Sequence, residues 1–377
     1  MANTITNVLP KMLAQGVLAL RQNAIVPRLV NRDYESTAAG KGNVINVPIP
    51  SAIAARAVTP SVVMNSNVAS APTVALVTLD HWMEAPFEAT DNDRISAVDS
   101  FFSMQASEAI KSLANDADAY ILGKHVGFYG AVGAAGTTWS TIGTASGARK
   151  LLNKQLAPMD QRFGVLDPDS EDALLRMSPI LLANERGDQG AVIGGSIGQK
   201  LGIDWYMDQN VTTYTPGTGW VTGWALSTQS VAAGDTTMNV LNATASGTVK
   251  VGDIFTFAGS TQQYVITSAA NATATTALLL SFTPAVVTGA STGAAITVIG
   301  TAYVVNLAAQ KYAFAWASRP FADSTVDGHV FQAPTDPISG IALRLELSRQ
   351  YKLETLSFDY LAGANIVRKE LGVKILG

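Results

Sequence analysis

Cysteine is absent from this sequence. That excludes disulfides, thiolate nucleophiles and cysteine-based metal sites, and leaves packing and association as the sources of stability. Charge is scarce as well. Asp, Glu, Lys and Arg make up 14% of the 377 residues, against roughly 25% in ordinary soluble domains, while apolar residues reach 47%. A monomer this poor in charge would leave apolar patches in water, whereas a subunit covered by its own copies would not; the composition predicts a homo-oligomer. The net charge of −4 argues against tight phosphate binding, which needs clustered cations. The nearest cluster, Arg368-Lys369 with Lys374, is broken by Glu370.

Long apolar runs are also lacking. The most apolar later stretch, 277–287, contains Pro284 and falls short of the roughly 20 residues that span a bilayer. The N-terminus has no basic start followed by an apolar core and an Ala-x-Ala site, so it does not read as a signal peptide. A chain made and kept in the cytosol, with no membrane contact, is expected.

What is present has the length for two or three domains. An amphipathic opening, with Ile5, Leu9, Met12, Leu13, Val17 and Leu20, runs up to Pro27 and predicts an arm that packs on something else. Between residues 42 and 89, β-type alternation at Val44–Ile49 and Thr73–Leu79 flanks a polar tip, Asn65-Ser66-Asn67, and predicts a long hairpin. The pattern leaves open whether it projects or lies flat. From Thr90 to about Lys124, apolar residues at three- and four-residue steps (Ile95, Val98, Phe102, Ala106, Ala109, Leu113, Tyr120) predict one long helix ending at Gly123. A core helix would read the same way.

Further on, Gly130–Gly136 reads as a loop and Ser146–Leu156 as a helix. Arg162–Pro168 reads as a strand ending at Pro168, and Asp169–Met177 as a helix capped by Asp169 or Ser170. Gly202–Met207 is a further strand, so the class is α+β. Near residue 223 the composition changes: up to Ile299 only Asp235, Lys250 and Asp253 carry charge, and short apolar segments recur between turns. This predicts an all-β insertion, barrel-like or a sandwich, interrupting a domain that resumes at Thr301.

Chemical motifs are weak. Gly194-Gly195-Ser196-Ile197-Gly198 matches a nucleophile elbow, but the residues after it make a poor helix and the one downstream histidine, His329, lies beyond the insertion. His81, His125 and His329 have no metal-type spacing. The acidic groups Asp91-Asn92-Asp93 and Asp167–Asp172 lack the glycine and glutamate of an EF-hand loop and read as helix caps. No catalytic, cofactor-binding or metal-ligating residue is expected.

The order of these elements resembles the capsid fold shared by tailed bacteriophages and herpesviruses. Asn306–Ala315 with Ser318-Arg319-Pro320 is similar to the segment that follows the inserted domain of podovirus-type coat proteins. The tail from Gln350-Tyr351-Lys352 through Phe358–Gly363 to Val367–Val373 resembles their closing strands, with Arg368-Lys369-Glu370 where Arg-Pro-Glu is frequent, and Gly202-Ile203-Asp204 before Asn210-Val211 resembles the strand that closes their central domain. The resemblance spans nearly the whole chain.

It implies an N-terminal arm (1–41), an extended hairpin loop (42–89), the spine helix of a peripheral domain (90–125), an axial domain (126–222), an inserted β-barrel-like domain (223–300) and a return to the peripheral and axial sheets (301–377). It implies a major capsid protein, not an enzyme, that builds an icosahedral head around double-stranded DNA in the virion, assembled in the host bacterial cytoplasm. The implied partners are the chain itself, as pentamers and hexamers, a scaffolding protein, a portal protein, an optional decoration protein, and packaged DNA in weak non-specific contact. Some capsids of this fold join neighbours by an isopeptide bond from a hairpin lysine; no lysine lies between Gly42 and Arg94. The rivals are a phage tail or fibre protein, or another β-rich structural protein, against which the long helix speaks, and a serine esterase built on Ser196.

Overall fold

The computed structural model describes residues 20, 24–34, 42–51, 53, 55, 57, 58, 60, 71–92, 101–177, 180, 197–218, 223–227, 230–242, 246–321 and 329–377. The expected amphipathic opening at 5–17, the tip Asn65-Ser66-Asn67 and Ser196 lie outside them.

Alternation builds the first elements. Strands β1 (Val44–Ile49) and β2 (Thr73–Thr78) pair antiparallel, with Val44 opposite Thr78 and Ile49 opposite Thr73. Side chains alternate between faces along a strand; Ile45, Val47 and Val77 turn inward and, with Leu79, meet Ala315 and Ala317. A Cβ at Gly363 would collide with the Thr78 carbonyl oxygen, so only glycine allows the hairpin base to lie this close. β3 (His81–Thr90) departs from the expected hairpin. It pairs along its whole length with residues 353–362, because Ala85 and Phe87 point into the main core.

Upstream, α1 (Val26–Leu29) is a single helical turn with Pro27 near its start. The long helix α2 (Phe101–Gly123) ends at the expected Gly123, but Thr90, its expected start, is the last residue of β3 because it pairs with Leu353, and Ile95 and Val98 lie outside the described residues. Ala106, Ile110, Leu113, Ala117 and Ile121 are its buried stripe, one face of a 3.6-residue repeat.

The central body contains β4 (Gly130–Val132), α3 (Ile142–Lys154), β5 (Arg162–Leu166), α4 (Pro168–Leu175), β6 (Gly198–Lys200), β7 (Ile203–Met207) and β8 (Thr213–Tyr214). Gly130–Val132, expected as loop, is a strand because it lies parallel beside the chain's last strand. The cap of α4 is Asp167, which accepts from the Asp169 N–H, and not Asp169 or Ser170. Pro168 explains the shift, since proline fits the first helical position and moves the cap one residue back.

Residues 225–298 supply β9 (Ala225–Leu226), β10 (Thr237–Leu241), β11 (Gly247–Val249), β12 (Ile254–Phe257), β13 (Tyr264–Ile266), β14 (Ala270–Ala272), β15 (Leu278–Thr283) and β16 (Ile296–Val298). The order β16-β12-β13-β15-β10-β9 makes a six-stranded sheet. It closes on itself: Ala225 bridges Ala295, and the Ile296 N–H donates to the Trp224 carbonyl. Phe255, Phe257, Tyr264 and Phe282 fill the barrel with ring centroids 5.2–6.2 Å apart; Phe255 stacks on Tyr264 and the other pairs are tilted or edge-on, arrangements aromatic quadrupoles favour. Closure removes the open edges that would otherwise invite another chain.

After the barrel come β17 (Tyr303–Gln310), β18 (Phe314–Arg319), β19 (His329–Gln332), β20 (Leu343–Gln350), β21 (Leu353–Ile366) and β22 (Gly372–Leu376). β17 lies between β22 and β5 in a seven-stranded sheet of order β4-β22-β17-β5-β7-β6, with β8 also on β17. Strands from before and after the barrel therefore share one sheet. A five-stranded sheet, β18-β21-β20-β19 with β3 on β21, carries α2. One core cluster runs from α2 through both sheets to α3.

Candidate assembly surfaces

Three polar joints hold the plates of this fold in register, and the apolar groups left outside them define the surfaces offered to partners. The first joint ties α2 to the five-stranded sheet. Asp116 accepts from Tyr360 Oη at 2.6 Å and lies 2.7 Å from His81 Nε2. His81 stacks on Tyr120 with centroids 3.9 Å apart. Burial works against the Asp116 charge, but the bonds from His81 and Tyr360 win and hold its carboxyl below the usual range.

The second joint fastens the N-terminal segment. Asp118 is buried on α2, and its carboxyl accepts from the N–H groups of Ile25 at 3.1 Å and Val26 at 2.9 Å, capping α1 from across the molecule. Burial, with the nearby Asp208 charge, pushes its pKa up to about 8.

The third joint seats the barrel on the body. Ile254 and Val265, on the outside of the barrel, pack against Tyr129, Ala131, Tyr303, Val305 and Leu376. The Gln263 amide satisfies the open edge of β4: its Oε1 accepts from the Ala131 N–H at 2.7 Å and its Nε2 donates to the Ala131 carbonyl at 2.9 Å. Lys374, fully buried on β22, donates from Nζ to the Gly252 carbonyl at 3.2 Å. Burial drives its pKa down to about 7, only partly opposed by the Asp253 charge. Lys374 is thus a core residue and no part of a surface basic cluster. Asp253, also buried, accepts from Tyr214 Oη at 2.9 Å and from the Lys250 and Gly217 N–H groups.

Outside these joints, large apolar groups face solvent. On the outer face of the hairpin, the register brings Val44, Leu76 and Val74 together as a stripe, each about half exposed. Trp82 projects from β3, Tyr351 from the β20–β21 turn, and Leu156 with Met159 from the loop after α3. A contiguous exposed stripe of this kind marks an interaction surface.

The sequence motifs for chemistry do not come together. Ser196 is followed by buried Ile197 and then by β6, which turns back antiparallel onto β7; a nucleophile elbow runs into a helix. His125 is buried, its Nδ1–H donates to the Leu122 carbonyl 3.0 Å away, and burial lowers its pKa to about 3, so it is neutral. His329 begins β19. Asp91 pairs with Arg349 at 3.0 Å and Asp167 caps α4. Among the described residues no three acidic or histidine groups are placed to hold a metal, and no helix is long and apolar enough to cross a membrane. The barrel joint was missed from sequence because Gln263 and Lys374 carry no local signal; only the fold brings them to Ala131 and Gly252.

No protein-family model matches the chain, and the comparison with curated proteins returns no match. Solved structures do match. A structure from Mycobacterium phage Che8 is 16% identical, with 93% of this chain and 90% of that chain covered at a TM-score of 0.52. The capsid structure of cyanophage P-SCSP1u is 12% identical, with 94% and 88% covered at a TM-score of 0.51. The chain has the capsid fold of tailed phages, an α+β architecture here carrying a closed β-barrel.

Proposed function

We propose that this chain is a major capsid protein, the subunit that assembles into the icosahedral head of a tailed phage around double-stranded DNA, with a structural and not an enzymatic role. The observation that carries the reading is the end-to-end match to the capsid structure of cyanophage P-SCSP1u, over 94% of this chain and 88% of that one. The charge-poor composition and the apolar hairpin stripe support it, since both call for burial between copies. In this reading residues 1–41 are the arm, 42–89 the extended loop, 90–125 the spine, 126–222 the axial domain, 223–300 the inserted domain and 301–377 the return. The subunit works in the virion as pentamers and hexamers, after assembly in the host cytoplasm with a scaffolding protein and a portal ring; a decoration protein is an optional partner. Contact with packaged DNA is weak and non-specific, as suits a net charge of −4.

The test is expression of the full chain followed by electron microscopy and light scattering, with and without scaffold. Shells or capsomer-sized rings are expected. A stable monomer at micromolar concentration, unchanged by scaffold, counts against the reading.

A further inference from the structure

The two ends of α3 carry complementary features that no joint among the described residues uses. At its C-terminal end, Leu156 is 88% exposed and Met159 68% exposed. Leu156 follows the helix with φ +59°, and its N–H donates to the Asn153 carbonyl at 3.1 Å. A left-handed residue at a helix C-terminus is ordinarily glycine; here a large apolar side chain is held outward in that strained conformation. On the preceding turns of α3, Arg149, Lys150 and Lys154 line one shallow surface and form no ion pair among the described residues. The sequence contains no acid between Asp118 and Asp160.

At the N-terminal end of α3, roughly 18 Å away at 1.5 Å per residue, an open groove of about 760 Å³ lies between the segment entering α3 (Thr138–Ile142) and α4. Trp139, Ile142, Ala173 and Met177 line it, and Asp169 and Asp172 stand at its rim. Asp172 is occupied by Arg176 at 2.8 Å, whereas Asp169 has no ion pair among the described residues.

We propose that the Leu156–Met159 knob of one subunit seats in the α3–α4 groove of a second copy, with the Lys150 and Lys154 ammonium groups facing the Asp169 rim. The proposal rests on the capsid reading and names the contact by which subunits meet. Knob and socket sit at opposite ends of one helix, so the contact is head-to-tail. Such an interface repeats from copy to copy and closes into a ring when the rotation allows. An apolar anchor in a pocket with a charged rim is the arrangement that concentrates binding energy.

Leu156→Gly separates this role from folding. Glycine relieves the left-handed strain, so the variant should melt at the same temperature as the parent or higher, yet assemble about tenfold more slowly or at about tenfold higher threshold concentration, the effect of losing one anchor. Lys154→Glu and Asp169→Lys should each impair assembly, and the double variant should recover it. Normal assembly of Leu156→Gly, or a double variant no better than the singles, overturns the knob-and-groove contact while leaving the capsid reading intact. A parent protein that forms neither shells nor rings overturns both.

Discussion

Replacing Lys374 by methionine should stabilise the protein at pH 7 and not at pH 10. The lysine is fully buried, its Nζ has the Gly252 carbonyl at 3.2 Å as a partner, and no carboxylate lies within ion-pair distance among the described residues. Burial lowers its pKa from 10.5 to about 7. Between those values the unfolded chain binds more protons than the folded one, so stability rises with pH across the window. The folded state has its full advantage above 10.5 and loses it as pH falls through 7. At about 1.4 kcal/mol per pH unit, the whole window is worth on the order of 5 kcal/mol. Methionine removes that penalty but strands the Gly252 carbonyl, which costs about 1–3 kcal/mol. The variant should therefore gain about 2–4 kcal/mol at pH 7; at pH 10, where only about 0.7 kcal/mol of the penalty remains and the stranded carbonyl dominates, it should range from about neutral to a loss of about 2 kcal/mol. Urea denaturation of unassembled parent and variant at both pH values measures the difference directly. Equal destabilisation at the two pH values would show that Lys374 stays charged and paired in the fold, and would refute the argument.

Leu113→Ala on α2 should cost about 2–5 kcal/mol, because Leu113 is buried in the main core and its neighbours are fixed by both sheets; an unchanged melting temperature would show the face to be misassigned. No lysine occurs from Gly42 to Arg94, so the mature shell should run as a monomer band in boiling denaturant, and a ladder of covalent multimers would contradict this. Residues 221–301 expressed alone should give a β-type circular dichroism spectrum and a cooperative melt, since the closed barrel has its own aromatic core; a disordered fragment would show that the body holds the barrel together. Gln263→Ala should lower the melting temperature by freeing both backbone groups of Ala131 on the β4 edge, and a neutral result would mean that water replaces the amide at no cost.

What the sequence disclosed, and what it hid, follow from the range over which each signal acts. The 3.6-residue repeat marked α2 to its last residue, Gly123, and period-2 alternation marked β1 and β2, because both signals are local. The change of composition near residue 223 reflected a barrel that needs little charge. Features set by distant strands were hidden. β3 falls inside the stretch read as a hairpin loop until β21 is placed beside it, and Gly130–Val132 reads as a loop until β22 lies parallel to it. The Ala225–Ala295 bridge that closes the barrel joins residues seventy positions apart. Lys374 looked like one of several surface cations near the C-terminus, since nothing beside it in sequence tells of the Gly252 carbonyl. The candidate assembly surface was legible only as a shortage of charge; which faces remain apolar emerged once the pairing register was known.

Closure of the barrel between β9 and the approach to β16 also places its entry and exit side by side. The body therefore receives the whole domain through one narrow doorway, and to the rest of the chain those seventy-odd residues behave as a short loop. Such a layout makes the domain exchangeable: a foreign domain with neighbouring termini could be grafted at the same site while the strands of the body keep their pairing. The limit on exchange is equally concrete. A replacement must bring an amide for the Ala131 edge and a carbonyl for Lys374, or the doorway is left with unanswered hydrogen bonds.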